Sequence, residues 1–259
     1  MPDRIRLDGR TAVVTGAAGV IGTATMRLLA ERGARIVAVD RARPELEAAI
    51  ADMPASAQAL AVIADVTRED DVAAYVRAAV DRFGAIDVFF NNAGVEGEIA
   101  PISKYPLDAF RKVIDVNVVG VFLGLKHVLP VMLGRNTGSI INTASIAGLI
   151  GSPEIAAYTA SKHAVIGLTR SAAVECAGSQ VRVNCVCPGS IDSRMLSAIV
   201  KGRNPTAPVP SERLVARIPA RRLGLASEVA SIVAFLACDE ASYVSGSAYT
   251  VDGGYTAGM

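Results

Sequence analysis

The chain has no tryptophan, and aromatic residues make up only 5% of its 259 positions. Its core must therefore be packed from Ala, Val, Ile and Leu, a bias that suits a parallel sheet buried on both faces. Histidine is nearly absent too: His127 and His163 stand alone, and both read as helix-surface or packing residues. The four cysteines (Cys176, Cys185, Cys187 and Cys238) form no C-x-x-C and have no histidine cluster beside them. Cys185 and Cys187 alternate along one strand-like run, so they share a face. The expectation is small buried thiols in a reducing cytosol, with no disulfide and no metal site. Charge of one sign is missing as well. Lys and Arg number 26 against 25 Asp and Glu, for a net charge of +1 with no dense basic block. That excludes nucleic acid and anionic membrane surfaces as expected partners. The N-terminus (MPDRIRLDGR) has no apolar signal core, and no apolar run is expected to span a membrane, so the expected location is cytoplasmic.

What the chain has is apolar residues, at 51%, arranged in a strand–helix rhythm. Residues 11–15, 35–40, 59–65, 86–92, 138–145, 181–189 and 247–254 read as strands, with helical patterns between them. In 68–83, Val72, Val76, Ala79, Val80 and Phe83 form one helical stripe. Alternation of this kind implies right-handed crossovers and an α/β, doubly wound parallel sheet of Rossmann type. No linker, composition break or repeat divides residues 1–259, so a single domain is expected.

Two segments break the amphipathic pattern. Residues 106–134 and much of 157–175 are apolar almost all round, as expected of helices covered by the sheet on one side and a second subunit on the other. Residues 193–220 mix close prolines with scattered charge directly after a strand end, where open α/β sheets bind ligands. They read as a mobile substrate lid.

TGAAGVIG, at 15–22, follows the first strand and opens a helix. A helix start after a glycine turn is an anion site, because its first N–H groups lack acceptors and its dipole is positive there. Gly16 fits the tight turn, Gly22 the close packing of helix on sheet, and Gly19 a further flexible position. Val20 stands where such loops usually carry glycine; a β-branched residue there disfavours positive φ and adds bulk beside a phosphate. Asp40 ends the second strand, where a carboxylate accepts hydrogen bonds from an adenine ribose, and Arg41 follows it. Further along, Tyr158 and Lys162 sit four apart in YTASK, on one helix face. Ser145 ends a strand thirteen residues earlier, and Asn117 interrupts an apolar run where a buried amide must find partners.

Together with Asp65-Val66, the NNAG at 91–94, Pro188-Gly189 and the VDGG at 251–254, these residues resemble the short-chain dehydrogenase/reductase family over nearly the whole chain. The resemblance implies hydride exchange between a nicotinamide cofactor and an alcohol or ketone. It implies a catalytic set of Asn117, Ser145, Tyr158 and Lys162. Tyr158 is the acid–base, its pKa drawn down by Lys162, and Asn117 anchors a proton-relay water. It assigns the cofactor to Gly16, Gly19, Ile21, Gly22, Asp40, Arg41, Asp65, Val66, Asn92, Ala93, Gly94, Tyr158, Lys162, Pro188, Gly189, Ile191 and Ser193, and Asp40 points to NAD over NADP. Val20 departs from the family's glycine, and Ser193 from its threonine. NAGVEGEIAP and CDEASYVSG resemble the branch with cyclic-ketone reductases, so the expected substrate is a compact secondary alcohol or cyclic ketone, walled by Glu96, Ser152 and Met195. A homotetramer, or at least a dimer, is expected. Two rival readings stand beside this one: a lyase or epimerase with bound cofactor, and a non-catalytic dinucleotide-binding scaffold protein.

Overall fold

The computed structural model describes residues 6–206 and 208–258. Among these, seven strands form one wholly parallel sheet. In chain order they are β1 (Thr11–Thr15), β2 (Arg35–Asp40), β3 (Ala59–Ile63), β4 (Val88–Asn91), β5 (Gly138–Thr143), β6 (Val181–Pro188) and β7 (Ala248–Val251). They lie side by side as β3-β2-β1-β4-β5-β6-β7. Every strand expected from the sequence is present, and the expected ends overran by one to three residues only where the chain leaves the sheet into a loop. The order reverses between β1 and β4, a switch point that leaves a crevice beyond the carboxyl ends of the strands.

Helices cover both faces. On one, α1 (Val20–Glu31) packs on α9 (Ala226–Ala237), with α2 (Arg43–Ala51) beside β2 and β3. On the other lie α3 (Glu69–Phe83), α4 (Leu107–Ile114), α5 (Gly120–Gly134) and α6 (Ala156–Glu175). Alternate residues of β1 enter opposite cores: Val13 joins the α3–α6 side, while Ala12 and Val14 join the α1–α9 side. That two-sided burial is why the strands read as continuous apolar runs. The stripe on α3 holds, with Tyr75 buried in it as well and Val80 only partly covered.

Two expectations need correction. Leu107–Gly134 is a continuous 28-residue helical run whose most apolar 18-residue window has a mean hydropathy of 1.8, so by length and composition it could cross a membrane. Here 44% of its most apolar window is buried, with Val113, Val121, Leu125 and Val128 inside the core. Secondly, the run is not one regular helix. Between α4 and α5, Asp115–Val119 winds as a π-helical turn. A pattern apolar all round carries no period from which such a turn could be read.

Residues 193–220 fold into two short helices, α7 (Arg194–Arg203) and α8 (Glu212–Ala216), above the carboxyl edge of the sheet. Both ends of α7 are tied down. Arg194 pairs with Glu96 at 3.0 Å, and Arg203 donates to Ser152 Oγ and the Pro153 carbonyl and lies 3.5 Å from Glu154.

Candidate active site

At the crevice the turn after β1 is built around Gly16, whose φ of +63° a side chain would strain. A Cβ there would also sit 2.9 Å from Ala93 Cα. Gly22 allows α1 to lie against this turn; a Cβ would collide with the Gly16 carbonyl and come within 2.9 Å of Ala17 Cα. Gly19 is not the flexible position expected. It is the N-cap of α1 at φ −75°, and Val20 is simply the first helical residue, without positive φ. The feared backbone conflict at Val20 therefore does not arise, and its side chain stands half-exposed at the cleft wall. The start of α1 has neither a capping side chain nor an acidic residue in its first turn. Its leading N–H groups and the positive dipole end face the cleft uncompensated, which fits a dinucleotide pyrophosphate.

NNAG ties the turn to the rest of the edge. Thr15 Oγ1 accepts from the Asn92 and Ala93 amides at 2.9 and 3.1 Å, and Asn92 Nδ2 donates to the Thr15 and Gly16 carbonyls. Thr143 Oγ1 donates to Asn92 Oδ1 at 3.1 Å. Asp40 accepts from the amides of Ala18, Arg41 and Ala42, which fixes its carboxylate at the mouth of the loop. Asp65 is held by Thr67, whose amide and hydroxyl both donate to it. Gly189 passes so close to Asp252 of VDGG that a Cβ would approach its Cα to 2.8 Å.

Ser145, Tyr158 and Lys162 meet at the same edge, all buried. Lys162 Nζ donates to the Thr143 carbonyl at 2.7 Å and lies 5.5 Å from the centre of the Tyr158 ring. Ser145 Oγ accepts from the Ala147 amide at 3.1 Å. The phenol of Tyr158 departs from expectation. Burial pushes it up to about 12, opposed by a hydrogen bond with Ser145. Burial likewise pulls Lys162 down to about 8, because an ammonium without a countercharge is costly to enclose. In the free protein desolvation outweighs the attraction on which the sequence reading relied.

Asn117 sits in the π turn, which swings its side chain across to Val95. Its Oδ1 accepts from the Val95 amide at 2.8 Å, and its Nδ2 donates to the Val95 carbonyl and to Ser161 Oγ. Asn117 Oδ1 and Lys162 Nζ both lie within 3.5 Å of the place a Cβ on Gly94 would take, so only glycine leaves that gap open.

Most of these groups line one cleft of about 770 Å³. Among the expected residues, Gly16, Gly19, Ile21, Asp40, Arg41, Asp65, Val66, Asn92, Ala93, Gly94, Pro188, Gly189, Ile191 and Ser193 line it, along with Ser145, Tyr158, Lys162, Ser152 and Met195. Three do not: Gly22 and Asn117 lie behind the wall, and Glu96 is engaged by Arg194. Ser193 caps α7, accepting from the Leu196 amide, and donates to the Ile191 carbonyl. Ile99, Met195 and Ile199 pack on Tyr158, Ala147 and Ile155, making an apolar patch beside the phenol. Leu196, Ile199 and Arg217 come to the cleft from 193–220, the segment expected to wall the substrate, whereas Tyr255 lines it unforeseen.

A helix N-terminus bared for phosphate, facing a Ser–Tyr–Lys set across one cleft, defines a dinucleotide-dependent oxidoreductase. Residues 16–256 match the family model described as enoyl-(acyl carrier protein) reductase, and the chain belongs to the short-chain dehydrogenases/reductases. It is an enzyme of hydride transfer between a nicotinamide cofactor and an alcohol or ketone carbon. The chain is 40% identical to levodione reductase of Leifsonia aquatica, covering 97% of this chain and 96% of that one. The crystal structure of levodione reductase superposes with a TM-score of 0.96 over 98% of this chain and 100% of that one. Cis-4-hydroxycyclohexanecarboxylate dehydrogenase of Sinomonas cyclohexanicum is 44% identical, over 96% and 97% of the two chains. The structure of an NAD+-bound xylitol dehydrogenase is similar at 38% identity and a TM-score of 0.92, over 95% and 99%.

Proposed function

We propose that the protein is a cytoplasmic, NAD-dependent dehydrogenase/reductase of compact secondary alcohols and ketones, cyclic ones among them. The observation that carries this is the convergence of Ser145, Tyr158 and Lys162 on the cleft that α1 opens toward a pyrophosphate. Relatives named for levodione and for a hydroxycyclohexanecarboxylate support the cyclic substrate, and the NAD+-bound relative supports NAD.

When bound, the nicotinamide supplies the carbon that accepts or donates the hydride. The chain does the rest. Tyr158 takes the alcohol proton in oxidation and returns it in reduction. The Ser145 hydroxyl donates to the substrate oxygen as its charge develops. Lys162 holds the nicotinamide ribose, and its ammonium favours the phenolate. Asn117 positions the Val95 backbone and a relay water that connects Lys162 to solvent. Amides of Val20, Ile21 and Gly22 would hold the pyrophosphate, Asp40 the adenine ribose, Asp65 and Val66 the adenine, and Ile191 and Ser193 the carboxamide. The segment 193–220 acts as the lid of the single domain, with Met195 and Ser152 as substrate walls. The Glu96–Arg194 ion pair ties the start of α7 to the loop after β4.

A panel of linear and cyclic secondary alcohols, followed at the absorbance of reduced NAD, tests the reading. Turnover of cyclic alcohols with NAD is expected; no turnover of any secondary alcohol would overturn it.

Assembly as a homotetramer, or at least a dimer, follows from the apolar residues left outside. Val119 at the end of the π turn, Phe122 at the start of α5, Leu133 at its end and Val174 on α6 are exposed. Burying two such faces removes apolar area from water about two-fold axes. Light scattering at micromolar concentration is expected to give a mass of two or four chains, and a monomer alone would refute the interface.

A further inference from the structure

The lid is the most one-sidedly charged part of the molecule. Residues 193–220 carry Arg194, Lys201, Arg203, Arg213 and Arg217 against Glu212 alone, in a chain whose net charge is +1. Two of these arginines are already matched, Arg194 by Glu96 and Arg203 by Glu154. Arg217 differs. It lines the cleft, it has no carboxylate partner among the described residues, and its guanidinium stacks 5.2 Å from the centre of the Tyr255 ring. A stacked guanidinium is held by its face and leaves its N–H fork free, the geometry that matches a carboxylate bidentately. In the same cleft, Met195 and Ile199 line the wall and pack beside Tyr158, which suits an apolar body.

We infer that the substrate carries a carboxylate, and that Arg217 receives it while the apolar patch holds the carbon skeleton beside Tyr158. This rests on reading the cleft as an alcohol/ketone site and narrows it to hydroxy and oxo acids with a small apolar frame. The excess positive charge of the lid raises the local concentration of such anions at the mouth. The adenosine end of the cleft is marked by Asp40, Arg41 and Asp65, whereas Arg217 lines it from the segment 193–220, as does Leu214.

The test measures binding apart from turnover. Cyclohexanecarboxylate and cyclohexanecarboxamide are titrated calorimetrically into the whole protein with saturating NAD. The acid should bind about tenfold or more tighter than the amide, the range of a charge-assisted hydrogen bond. Arg217→Ala, or Arg217→Gln should the alanine variant not fold, should abolish most of that preference. Arg213→Ala, on the lid but off the cleft, should keep it. Equal affinity for acid and amide, no binding of either, or a preference that survives loss of Arg217 would overturn the inference. So would weaker NAD binding in the Arg217 variants, which would make the arginine a cofactor ligand. Turnover of a hydroxycyclohexanecarboxylate and of cyclohexanol is followed separately. Failure to oxidise either counts against the alcohol reading, while the acid–amide comparison still reports on Arg217.

Discussion

Tyr158→Phe should fold, melt near the parent temperature and bind dinucleotide, yet lose roughly 10²–10⁴-fold in turnover, the usual contribution of one positioned acid–base group. The ring packs with Ala147, Ile155, Met195 and Ile199, and Phe preserves those contacts, so stability should barely change. Only the hydroxyl beside Ser145 is removed. The pH profile gives the result its sign. Since burial lifts the phenol to about 12, its base form is scarce at neutral pH and grows tenfold with each unit. Oxidation, read as kcat/KM, should therefore climb as pH rises. Lys162, drawn down to about 8, loses its charge above that point, so the climb should slacken there. Residual activity of the Phe variant should show no such climb. Activity within about tenfold of the parent would remove Tyr158 from its role.

NAD should be preferred over NADP by at least about tenfold in kcat/KM, because a 2′-phosphate would meet the Asp40 carboxylate. At 4 Å and an effective dielectric near 20, each unit of like charge costs about 4 kcal/mol before relaxation. Three amides hold that carboxylate in place, so it cannot simply swing aside. Asp40→Ala should narrow the preference sharply, with Arg41 then available to the phosphate. Alanine also strands the Ala18, Arg41 and Ala42 amides and should cost stability, whereas Asp40→Asn removes the charge while keeping one of the two acceptor oxygens, at a smaller cost. If the asparagine variant keeps the full preference, charge repulsion is not its cause. A parent ratio near one, or one favouring NADP, would defeat the assignment outright.

Much of this was legible in the sequence for a simple reason. Parallel strands buried on both faces are largely apolar, so β1, β2 and β4 announced themselves, while the edge strands β3 and β7, only partly covered, were read from the strand–helix rhythm. Tyr158 and Lys162, four apart on one helix, needed no tertiary information to be placed side by side. Other features required the fold. Glu96 and Ser152 read as substrate walls. What occupies their polar atoms is set by Arg194 and Arg203, distant in sequence and carried there by α7. Val20 seemed to threaten the loop because the sequence cannot say which glycine carries the positive φ; it is Gly16, and Val20 begins the helix. The direction of the Tyr158 shift depended on how completely the pair is enclosed, which neighbouring letters do not reveal.

The turn at Asp115–Val119 holds one residue more than a regular helix needs. Deleting any one of those five would let α4 and α5 fuse into an uninterrupted α-helix, a more regular coil in its own right. The wide turn already absorbs its extra residue, so the deletion would leave α5 in register, with Val121, Leu125 and Val128 still in the core. The change would be local: the amide of Asn117 would lose the wide turn that carries it to Val95. The site is thus maintained by a local irregularity, and selection for a straighter helix would act directly against catalysis.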